Sequence, residues 1–415
     1  MKKKIVLIGL GYIGLPTATF FARSGADVVG FDINSRTVEL INRGENPVFE
    51  PELDKMVKEV VENKKLRATT KPEEGDVFII AVPTPFKDNH DPDISFITNA
   101  VDSIADVIKK GDIIVLESTS PVGTTEIIAN QLKNLRFDLN VPTNENEDGD
   151  IFIAYCPERM IPGNVFELVK NDRIIGGINK KSSEETKKVY ELISKGELIC
   201  TNSKTAEMSK LTENSFRDVN IAFANELSII CDKLGIDVFE LINLANHHPR
   251  VNILTPGCGV GGHCIAVDPW FIIKKNPEQT HLIQAARQIN DYKPKFIFNK
   301  VEEKIDKLIA KGKSLKEIKI ACLGLSFKPN IDDLRESPAI KIASALSKKY
   351  VHQVKSVEPH IKKLPEQYKN TEIELEKLEK ALDADIIIPL VKHKEFADID
   401  FSSRKEKLVD YIGLV

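Results

Sequence analysis

The chain has 415 residues, 42% hydrophobic and 29% charged, a composition that excludes a disordered tail, a collagen-like repeat and a small disulfide-linked scaffold. With 58 Lys and Arg against 62 Asp and Glu, the net charge of −4 offers no general basic field for nucleic acid. The six cysteines form no Cys-x-x-Cys pair, which in a chain of this length indicates reduced, cytoplasmic thiols.

The N-terminus permits two interpretations. Three lysines followed by the apolar residues 5–15 are similar to a secretory signal. Glycines 9, 11 and 14 interrupt that run with the spacing of a dinucleotide-binding turn, which favours a strand followed by a helix. No apolar stretch reaches the ~20 residues needed to cross a bilayer, so we expect a cytoplasmic protein without a membrane partner.

The first part of the chain alternates β-branched runs with helical patterns. A helix is predicted at residues 12–24, and strands are predicted at residues 4–8, 27–32, 77–82, 113–117 and 151–155. Such alternation predicts a parallel sheet covered by helices on both faces. We assign residues 1–200 to this first domain.

The middle of the chain predicts a helical domain at residues 201–312. Residues 205–234 contain no Gly or Pro and predict one long helix that ends at Gly235. A second helical segment, residues 279–310, is expected to be interrupted by Pro294. A glycine-rich loop at residues 256–268 separates the two.

The alternation of strands and helices returns at residues 313–415. A helix is predicted from Ser337, and strands at residues 318–323, 354–357, 384–390 and 407–411. The predicted fold class is α/β, with two Rossmann-like doubly wound domains joined by a central helical domain.

The first glycine cluster predicts an NAD site. The first glycine allows the tight turn, the second allows a pyrophosphate to approach the backbone, and the third allows the helix to pack closely on the strand. Asp32 ends the second strand eighteen positions after Gly14, where an acid binds the adenosine ribose and favours NAD over NADP. A tight turn without a ligand is the alternative. The predicted cofactor contacts here are Gly9, Gly11, Tyr12, Ile13, Gly14, Asp32 and Arg36.

Two later strand ends extend this prediction. Ligands of open α/β sheets bind at the carboxyl ends of strands, where Thr84 and Thr119 can offer hydroxyl groups to the ribose or the nicotinamide. Ordinary Ser/Thr/Pro turn chemistry explains either residue taken alone almost as well.

The second glycine cluster, residues 256–264, leads to Cys264. Four glycines in this loop are entropically costly, so a packed backbone or a close ligand is expected. A cysteine here can be a covalent nucleophile. Metal binding by Cys258, His263 and Cys264 is the competing interpretation, but it lacks a fourth ligand at a usual spacing, and we predict no metal.

Lys210, Asn214 and Arg217 share one face of the long predicted helix. Charges on a helix usually form a solvated face. In a helix buried between domains, the same three residues would line a polar site, where desolvation lets a lysine move protons.

Taken together, these segments resemble the UDP-glucose/GDP-mannose dehydrogenase family over nearly the whole chain. The resemblance lies in residues 9–16 (GLGYIGLP), 154–159 (AYCPER), 207–217 (EMSKLTENSFR), 261–268 (GGHCIAVD), 327–330 (FKPN) and 335–338 (RESP). It implies NAD-dependent oxidation of a nucleotide sugar at its primary alcohol, twice, to a uronate, for polysaccharide or glycan assembly. It also implies a homodimer or homotetramer.

The family's roles carry over to matching positions. The resemblance implies that Cys264 forms a thiohemiacetal and then a thioester, and that Lys210 and Asn214 move protons and stabilise the oxyanion. It implies that Asp268 supports them and that Glu158 is a base for hydrolysis. Arg335 would reach the cofactor. The implied substrate contacts are Arg159, Met160, Lys210, Asn214, Arg217, His247, Arg250, Gly261, Phe327 and Lys328.

Within the family, residues 156–163 resemble the branch that acts on UDP-N-acetyl-D-mannosamine, since Pro162 stands where UDP-glucose dehydrogenases carry a second acid. UDP-N-acetylglucosamine and UDP-glucose are the alternative substrates, and a nonenzymatic NAD-sensing regulator is the alternative of another class. One departure is Asp410-Tyr411-Ile412-Gly413. Relatives have Asp-x-Lys-Gly there, so a basic contact to UDP is missing or replaced.

Overall fold

A computed structural model describes residues 3–48, 50, 52–87, 89–159 and 164–414. The chain forms two compact units, residues 1–212 with 270–275 and residues 213–269 with 276–415. The boundaries fall inside two helices, each of which therefore contributes residues to both units. No helix among the described residues has the length and apolar character needed to span a membrane.

The first unit is an α/β domain. Its strands are β1 (Lys4–Ile8), β2 (Asp27–Phe31), β3 (Leu66–Thr69), β4 (Val77–Ile80), β5 (Ile113–Leu116), β6 (Phe152–Tyr155), β7 (Arg173–Gly177) and β8 (Leu198–Asn202). Its helices are α1 (Gly14–Arg23), α2 (Ser35–Asn42), α3 (Leu53–Glu62), α4 (Ser95–Ile104), α5 (Thr124–Leu135), α6 (Glu167–Lys170) and α7 (Lys180–Tyr190). The helix α8 (Ser203–Leu234) begins here and continues into the second unit.

The eight strands form one sheet in the order β3-β2-β1-β4-β5-β6-β7-β8. Ile5 and Leu7 pack in one apolar cluster while Val6 and Ile8 pack in another, so both faces of the sheet are covered. The five predicted strands are confirmed; β3, β7 and β8 were not predicted. The prediction of a purely parallel sheet is wrong at one place, because β7 pairs antiparallel with β6.

The second unit combines long helices with a small parallel sheet. Its helices are α9 (Val238–Ala245), α10 (Asp268–Lys275, shared with the first unit), α11 (His281–Ala310), α12 (Pro338–Lys349), α13 (Leu378–Ala381) and α14 (Lys394–Ala397). Its strands are β9 (Ile320–Leu323), β10 (Val354–Val357) and β11 (Ile386–Pro389), in the parallel order β10-β9-β11.

Two sequence predictions for the second unit are wrong. The helix α11 is not interrupted, since it continues through Pro294. Residues 407–411 form no strand; Leu408 makes one isolated bridge to Ile387, and the chain then turns because the Asp410 carboxylate accepts the amides of residues 412–414. The long helix, in contrast, ends as predicted, with Gly235 at φ +69°.

Candidate active site

The turn between β1 and α1 has the backbone of a dinucleotide site. Gly9 has φ +90°, and its N–H donates to Phe31 O at 2.9 Å. A Cβ at Gly14 would lie 1.8 Å from Gly9 O, so only glycine allows α1 to pack this closely. A Cβ at Gly11 would meet no atom within 4 Å. This open space beside the first turn of α1 fits a pyrophosphate group at the helix N-terminus.

Asp32 fixes the other side of the turn. Its Oδ2 accepts from Leu10 N at 2.8 Å and its Oδ1 accepts from Asn34 N at 2.9 Å, which leaves lone pairs for ribose hydroxyls. The next residue, Ile33, is 87% exposed, although a large apolar side chain prefers burial. The sequence analysis missed Ile33, whose position directly after the acid suits contact with the adenine ring. Tyr12, Gly11 and Arg36 are also exposed.

The loops that follow β4 and β5 are joined by hydrogen bonds. The Thr84 hydroxyl donates to Thr119 O at 2.6 Å, and Ser118 Oγ donates to Val82 O at 2.7 Å. Since β1 and β4 are neighbours at the point where the strand order reverses, these loops lie at the crevice where doubly wound sheets bind ligands. The structure therefore places the predicted Thr84 and Thr119 in contact with each other.

A buried ion cluster lies below these loops. Arg173 Nη1 is 3.3 Å from Glu117 Oε1, and Nη2 donates to Glu158 Oε2. Both carboxylates are buried, and burial raises the pKa of Glu117 to about 7 despite the nearby arginine. The Tyr190 hydroxyl donates to Glu117 Oε1 at 3.4 Å. The sequence analysis predicted Glu158 but missed Glu117 and Arg173, which no local motif marks.

The helix α8 is anchored at its start. Glu207 is fully buried, and its carboxylate accepts from Gly123 N at 2.6 Å and from Thr125 N at 2.8 Å, at the N-terminus of α5. Lys210, half-buried, follows one turn later, and Asn214 one turn after that. The predicted spacing of these two residues along one helix is present.

In the second unit, three predicted catalytic residues lie together. Asn214 Nδ2 donates to Asp268 Oδ2, and Asp268 is 3% exposed. The carbonyl of Cys264 accepts from Val267 N at 2.9 Å and from Asp268 N at 2.8 Å, so a tight turn connects the cysteine to α10. Cys264 is half-exposed, which leaves it accessible to a reagent.

The glycines before Cys264 permit close packing. A Cβ at Gly261 would lie 2.8 Å from Glu336 O and 2.8 Å from Phe327 Cβ, and a Cβ at Gly262 would lie 2.9 Å from the Phe327 ring. Gly262 N donates to Arg335 O at 3.0 Å. The predicted residues Gly261, Phe327 and Arg335 are thus brought together, and a packed backbone explains the glycines from Gly259 onward.

Three of the other cysteines are fully buried thiols. Burial raises the pKa of the Cys156, Cys258 and Cys322 thiols to about 12, which keeps them protonated. The Cys258 Sγ donates to Leu390 O at 3.3 Å. Cys258 is 4% exposed and packs in the apolar core of the second unit, so packing explains this residue of the loop.

The turn after β9 repeats the geometry of the first turn with one difference. Gly324 N donates to Val357 O at 2.8 Å and Leu325 N donates to Glu358 Oε2 at 2.7 Å, like Gly9 and Leu10 in the first unit. Here, however, Glu358 Oε2 also accepts from Ser326 N at 3.0 Å and lies 3.2 Å from His393 Nε2. These protein contacts occupy the acid, so this turn offers no carboxylate to a ribose.

The remaining predicted residues are placed as follows. Arg335 pairs with Asp333; burial acts to raise the pKa of Asp333, but the hydrogen bonds from Arg335 hold it below its ordinary value. Ile412 is buried in the apolar core, so its position serves packing instead of a basic contact.

Met160 and Pro162 lie outside the described residues. Arg159 is half-buried, and the exposed residues are Arg217, His247, Arg250 and Lys328.

Three sequence models match this chain in order. They describe the NAD-binding domain (residues 3–194), the central domain (residues 204–292) and the UDP-binding domain (residues 321–412) of the UDP-glucose/GDP-mannose dehydrogenase family. The chain belongs to this family. It is an NAD-dependent dehydrogenase, and the glycine turn, Asp32 and the joined loops after β4 and β5 fit that cofactor.

Relatives in this family are similar over nearly their full length. UDP-N-acetyl-D-mannosamine dehydrogenase of Campylobacter jejuni is 55% identical over 98% of both chains. NDP-N-acetyl-D-galactosaminuronic acid dehydrogenase of Ralstonia nicotianae is 52% identical over 98% of this chain and 95% of its own. The solved UDP-D-ManNAc dehydrogenase of Pyrococcus horikoshii has 40% identity and a TM-score of 0.87, over 99% of this chain and 96% of that chain.

Proposed function

We propose that this enzyme oxidises the primary alcohol of UDP-N-acetyl-D-mannosamine to the carboxylate, in two oxidations that use two NAD. The observation that carries the proposal is the placement of the partly exposed Cys264 in a tight turn that leads to Asp268, whose buried carboxylate accepts from Asn214. The relatives named for this substrate, at 53–55% identity, support the choice of sugar.

NAD, when bound, accepts one hydride from the substrate carbon in each oxidation. In the first oxidation the alcohol also loses a proton, and an aldehyde forms. We propose that Lys210 accepts this proton. The Cys264 thiolate adds to the aldehyde carbon to give a thiohemiacetal. Loss of a second hydride and a proton leaves a thioester, and water then cleaves the C–S bond to release the uronate and the thiol.

Asn214 stabilises the oxyanion of the thiohemiacetal in this proposal. Its side chain already donates to Asp268, so the amide is held in one orientation and needs little reorganisation during the reaction. Glu158 accepts from Arg159 N at 2.7 Å and from Arg173, and both contacts fix its carboxylate. We propose that this held carboxylate binds and orients the water that hydrolyses the thioester.

For the substrate, we propose that cations contact the UDP diphosphate. Arg217, Arg250 and Lys328 are exposed cations of the second unit, as a dianionic ligand requires. The other proposed contacts are Arg159, Met160, His247, Gly261 and Phe327. Arg335 is proposed to contact the cofactor.

We further propose a division into three functional domains. Residues 1–200 bind NAD, residues 201–312 carry the nucleophile loop, and residues 313–415 bind the UDP-sugar. The family models that match residues 3–194, 204–292 and 321–412 support these boundaries.

We propose that the enzyme is a homodimer or homotetramer assembled through α8. Apolar side chains recur every seventh residue on this helix: Phe216 is 69% exposed, Phe223 51% and Ile230 47%, and Leu234 continues the row at 63%. A row of this kind is favourable only when a partner covers it.

We propose the cytoplasm as the location. None of the six cysteines, all of which lie among the described residues, forms a disulfide. A nucleophilic Cys264 must stay reduced, which that compartment ensures.

The test is NADH formation with a panel of sugars, namely the UDP derivatives of N-acetylmannosamine, N-acetylglucosamine, N-acetylgalactosamine and glucose. We expect two NADH and one uronate per UDP-N-acetylmannosamine. We expect kcat/KM for UDP-glucose to be about 100-fold lower, since this sugar leaves acetamido-binding groups unpaired. Comparable values for both sugars would overturn the substrate, and no NADH with any sugar would favour a regulator.

A further inference from the structure

A row of buried polar side chains connects α8 and α11. Asp218 and Asn225 of α8 and Arg287 and Asn290 of α11 are each at most 2% exposed. Arg287 Nη1 donates to Asp218 Oδ1 at 2.8 Å, and Asn290 Nδ2 donates to the same oxygen at 2.8 Å. Asn225 Nδ2 donates to Asn290 Oδ1 at 2.9 Å. Burying four polar side chains between two helices is unfavourable unless they are hydrogen-bonded. Each of these makes at least one hydrogen bond, while Asp218 Oδ2 and Arg287 Nε are buried without one.

The row ends on the backbone of the nucleophile loop. Gly257 N donates to Asn225 Oδ1 at 2.9 Å. A backbone N–H can only donate and a carboxylate can only accept, so the two ends fix the orientation of both amides between them. Asn225 must present its oxygen to Gly257 and its NH₂ to Asn290, and Asn290 must present its NH₂ to Asp218. No amide flip satisfies the same contacts.

Gly257 is the backbone group of the loop that this hydrogen bond fixes. A Cβ at Gly257 would meet no atom within 4 Å, whereas its neighbours Pro256 and Cys258 are buried, so the hydrogen bond adds a directional contact at the one open position. Farther along, the loop approaches α11 directly, since a Cβ at Gly259 would lie 2.9 Å from the backbone carbonyl of Asn290. That carbonyl receives no helical N–H, because the residue four positions on is Pro294. Asn290 is therefore linked to the loop in two ways: its side chain holds Asn225, which bonds Gly257, and its backbone carbonyl lies beside Gly259.

We propose that Asn225 and Asn290 are positioning residues, which hold the start of the glycine loop and so the direction in which Cys264 presents its thiol. The inference rests on the proposed role of Cys264 as nucleophile. Gly262 N, bonded to Arg335 O, holds the far end. A loop fixed at Gly257 and at Gly262 leaves the cysteine little freedom, which favours attack at one geometry.

The test compares N225A and N290A with I305A. Ile305 lies on α11, fifteen residues beyond Asn290, and is 2% exposed in the apolar core, so I305A weakens the same unit and leaves the hydrogen-bonded row intact. Hydrogen exchange of peptides covering residues 256–264 is measured by mass spectrometry. We expect exchange there to rise about tenfold or more in N225A and N290A, with α8 and α11 little changed. In I305A we expect faster exchange along α11 without a particular increase in the loop.

Activity provides the second measurement. A nucleophile displaced by about 1 Å costs about 100-fold in kcat, whereas KM for the UDP-sugar should stay within about threefold. N225D keeps an acceptor for Gly257 N but cannot donate to Asn290, so exchange in the loop should rise less in N225D than in N225A. N290A alone tests the inference if neither variant of Asn225 folds. Unchanged exchange at residues 256–264 in both alanine variants would overturn the inference. Absence of activity in the unaltered enzyme would instead overturn the proposed function, since the exchange result needs no substrate.

Discussion

Replacing Glu117 by glutamine should stabilise the first unit increasingly as the pH rises from about 5 to about 7. Glu117 is fully buried, and burial raises the pKa of its carboxyl to about 7 from an ordinary value of 4.5. The folded chain therefore holds a proton on this group that the unfolded chain releases. The charged and polar side chains that face Glu117 are Thr17, Cys156, Glu158, Arg173 and Tyr190.

The sign and size of the change in the free energy of unfolding follow from the linkage between proton binding and folding. When folding raises the pKa of a carboxyl, the group does not lower the free energy of unfolding at a pH below its unfolded pKa. Above that pH it lowers the free energy of unfolding increasingly, until the pH exceeds the folded pKa. The rise from 4.5 to about 7, at about 1.4 kcal/mol per pH unit, corresponds to roughly 3 to 4 kcal/mol. Glutamine keeps the shape and carries no charge, so Arg173 then balances Glu158 alone. The advantage of E117Q should appear between about pH 5 and pH 7 and then remain constant.

The assay is urea unfolding followed by tryptophan fluorescence. The chain has a single tryptophan, Trp270, which belongs to the first unit and stacks on His90, with ring centroids 4.0 Å apart. Its signal therefore reports the unit that contains Glu117. E184Q, on the exposed surface of α7, is the matched control and should show no comparable trend. A difference between E117Q and the unaltered chain that stays constant from pH 5 to pH 8 would refute the reasoning.

Three further predictions concern the site and the assembly. D32A should weaken NAD binding about 10- to 100-fold in calorimetry while UDP-sugar affinity holds, because each charge-assisted hydrogen bond contributes about 1.5–3 kcal/mol at most; equal losses for both ligands would contradict the cofactor assignment. C264A should bind both ligands but form uronate about 1,000-fold more slowly, whereas C200A, at the other exposed cysteine position, should keep full activity. Mass spectrometry of the product checks both. F223D should yield monomers in light scattering, and F137D, at a phenylalanine that is 90% exposed, should not.

The parts of the fold that local patterns encode could be predicted from sequence. Alternating β-branched runs identified β1, β2, β4, β5 and β6, and the glycine turn with Asp32 identified the cofactor site. The edge strand β8 was not predicted, because its apolar run is only three residues long and its residues are mostly exposed. The missed antiparallel pairing of β7 is a long-range choice that no local pattern specifies.

The hydrogen-bond partners of the site could not be predicted, because they join residues far apart in sequence. Arg173 meets Glu117 across 56 positions, and Asn225 meets Asn290 across 65. The likeness between the turns at Gly9 and Gly324 is visible in sequence, but the difference is not. Only the structure shows that His393 lies beside Glu358, so that protein groups occupy this carboxylate. The matching acid of the first turn, Asp32, keeps lone pairs for a ribose.

The last prediction separates the two neighbouring glycines of the cofactor turn. A Cβ at Gly14 would lie 1.8 Å from Gly9 O and 2.6 Å from Leu7 Cδ2, so G14A must displace α1 from β1 and should unfold the first unit at lower urea concentration. A Cβ at Gly11 would meet nothing within 4 Å, and the backbone there lies outside the left-handed region, so G11A should fold normally.

The same open space predicts the functional cost of G11A. If the pyrophosphate approaches the backbone at Gly11, an added methyl group stands in its way, and NAD affinity should fall about tenfold or more. UDP-sugar affinity and the urea midpoint reported by Trp270 should stay unchanged. The two variants thus assign opposite roles to residues three positions apart, packing at Gly14 and ligand approach at Gly11. G11A with normal NAD affinity would show that the cofactor does not lie over this turn, whatever the stability of G14A.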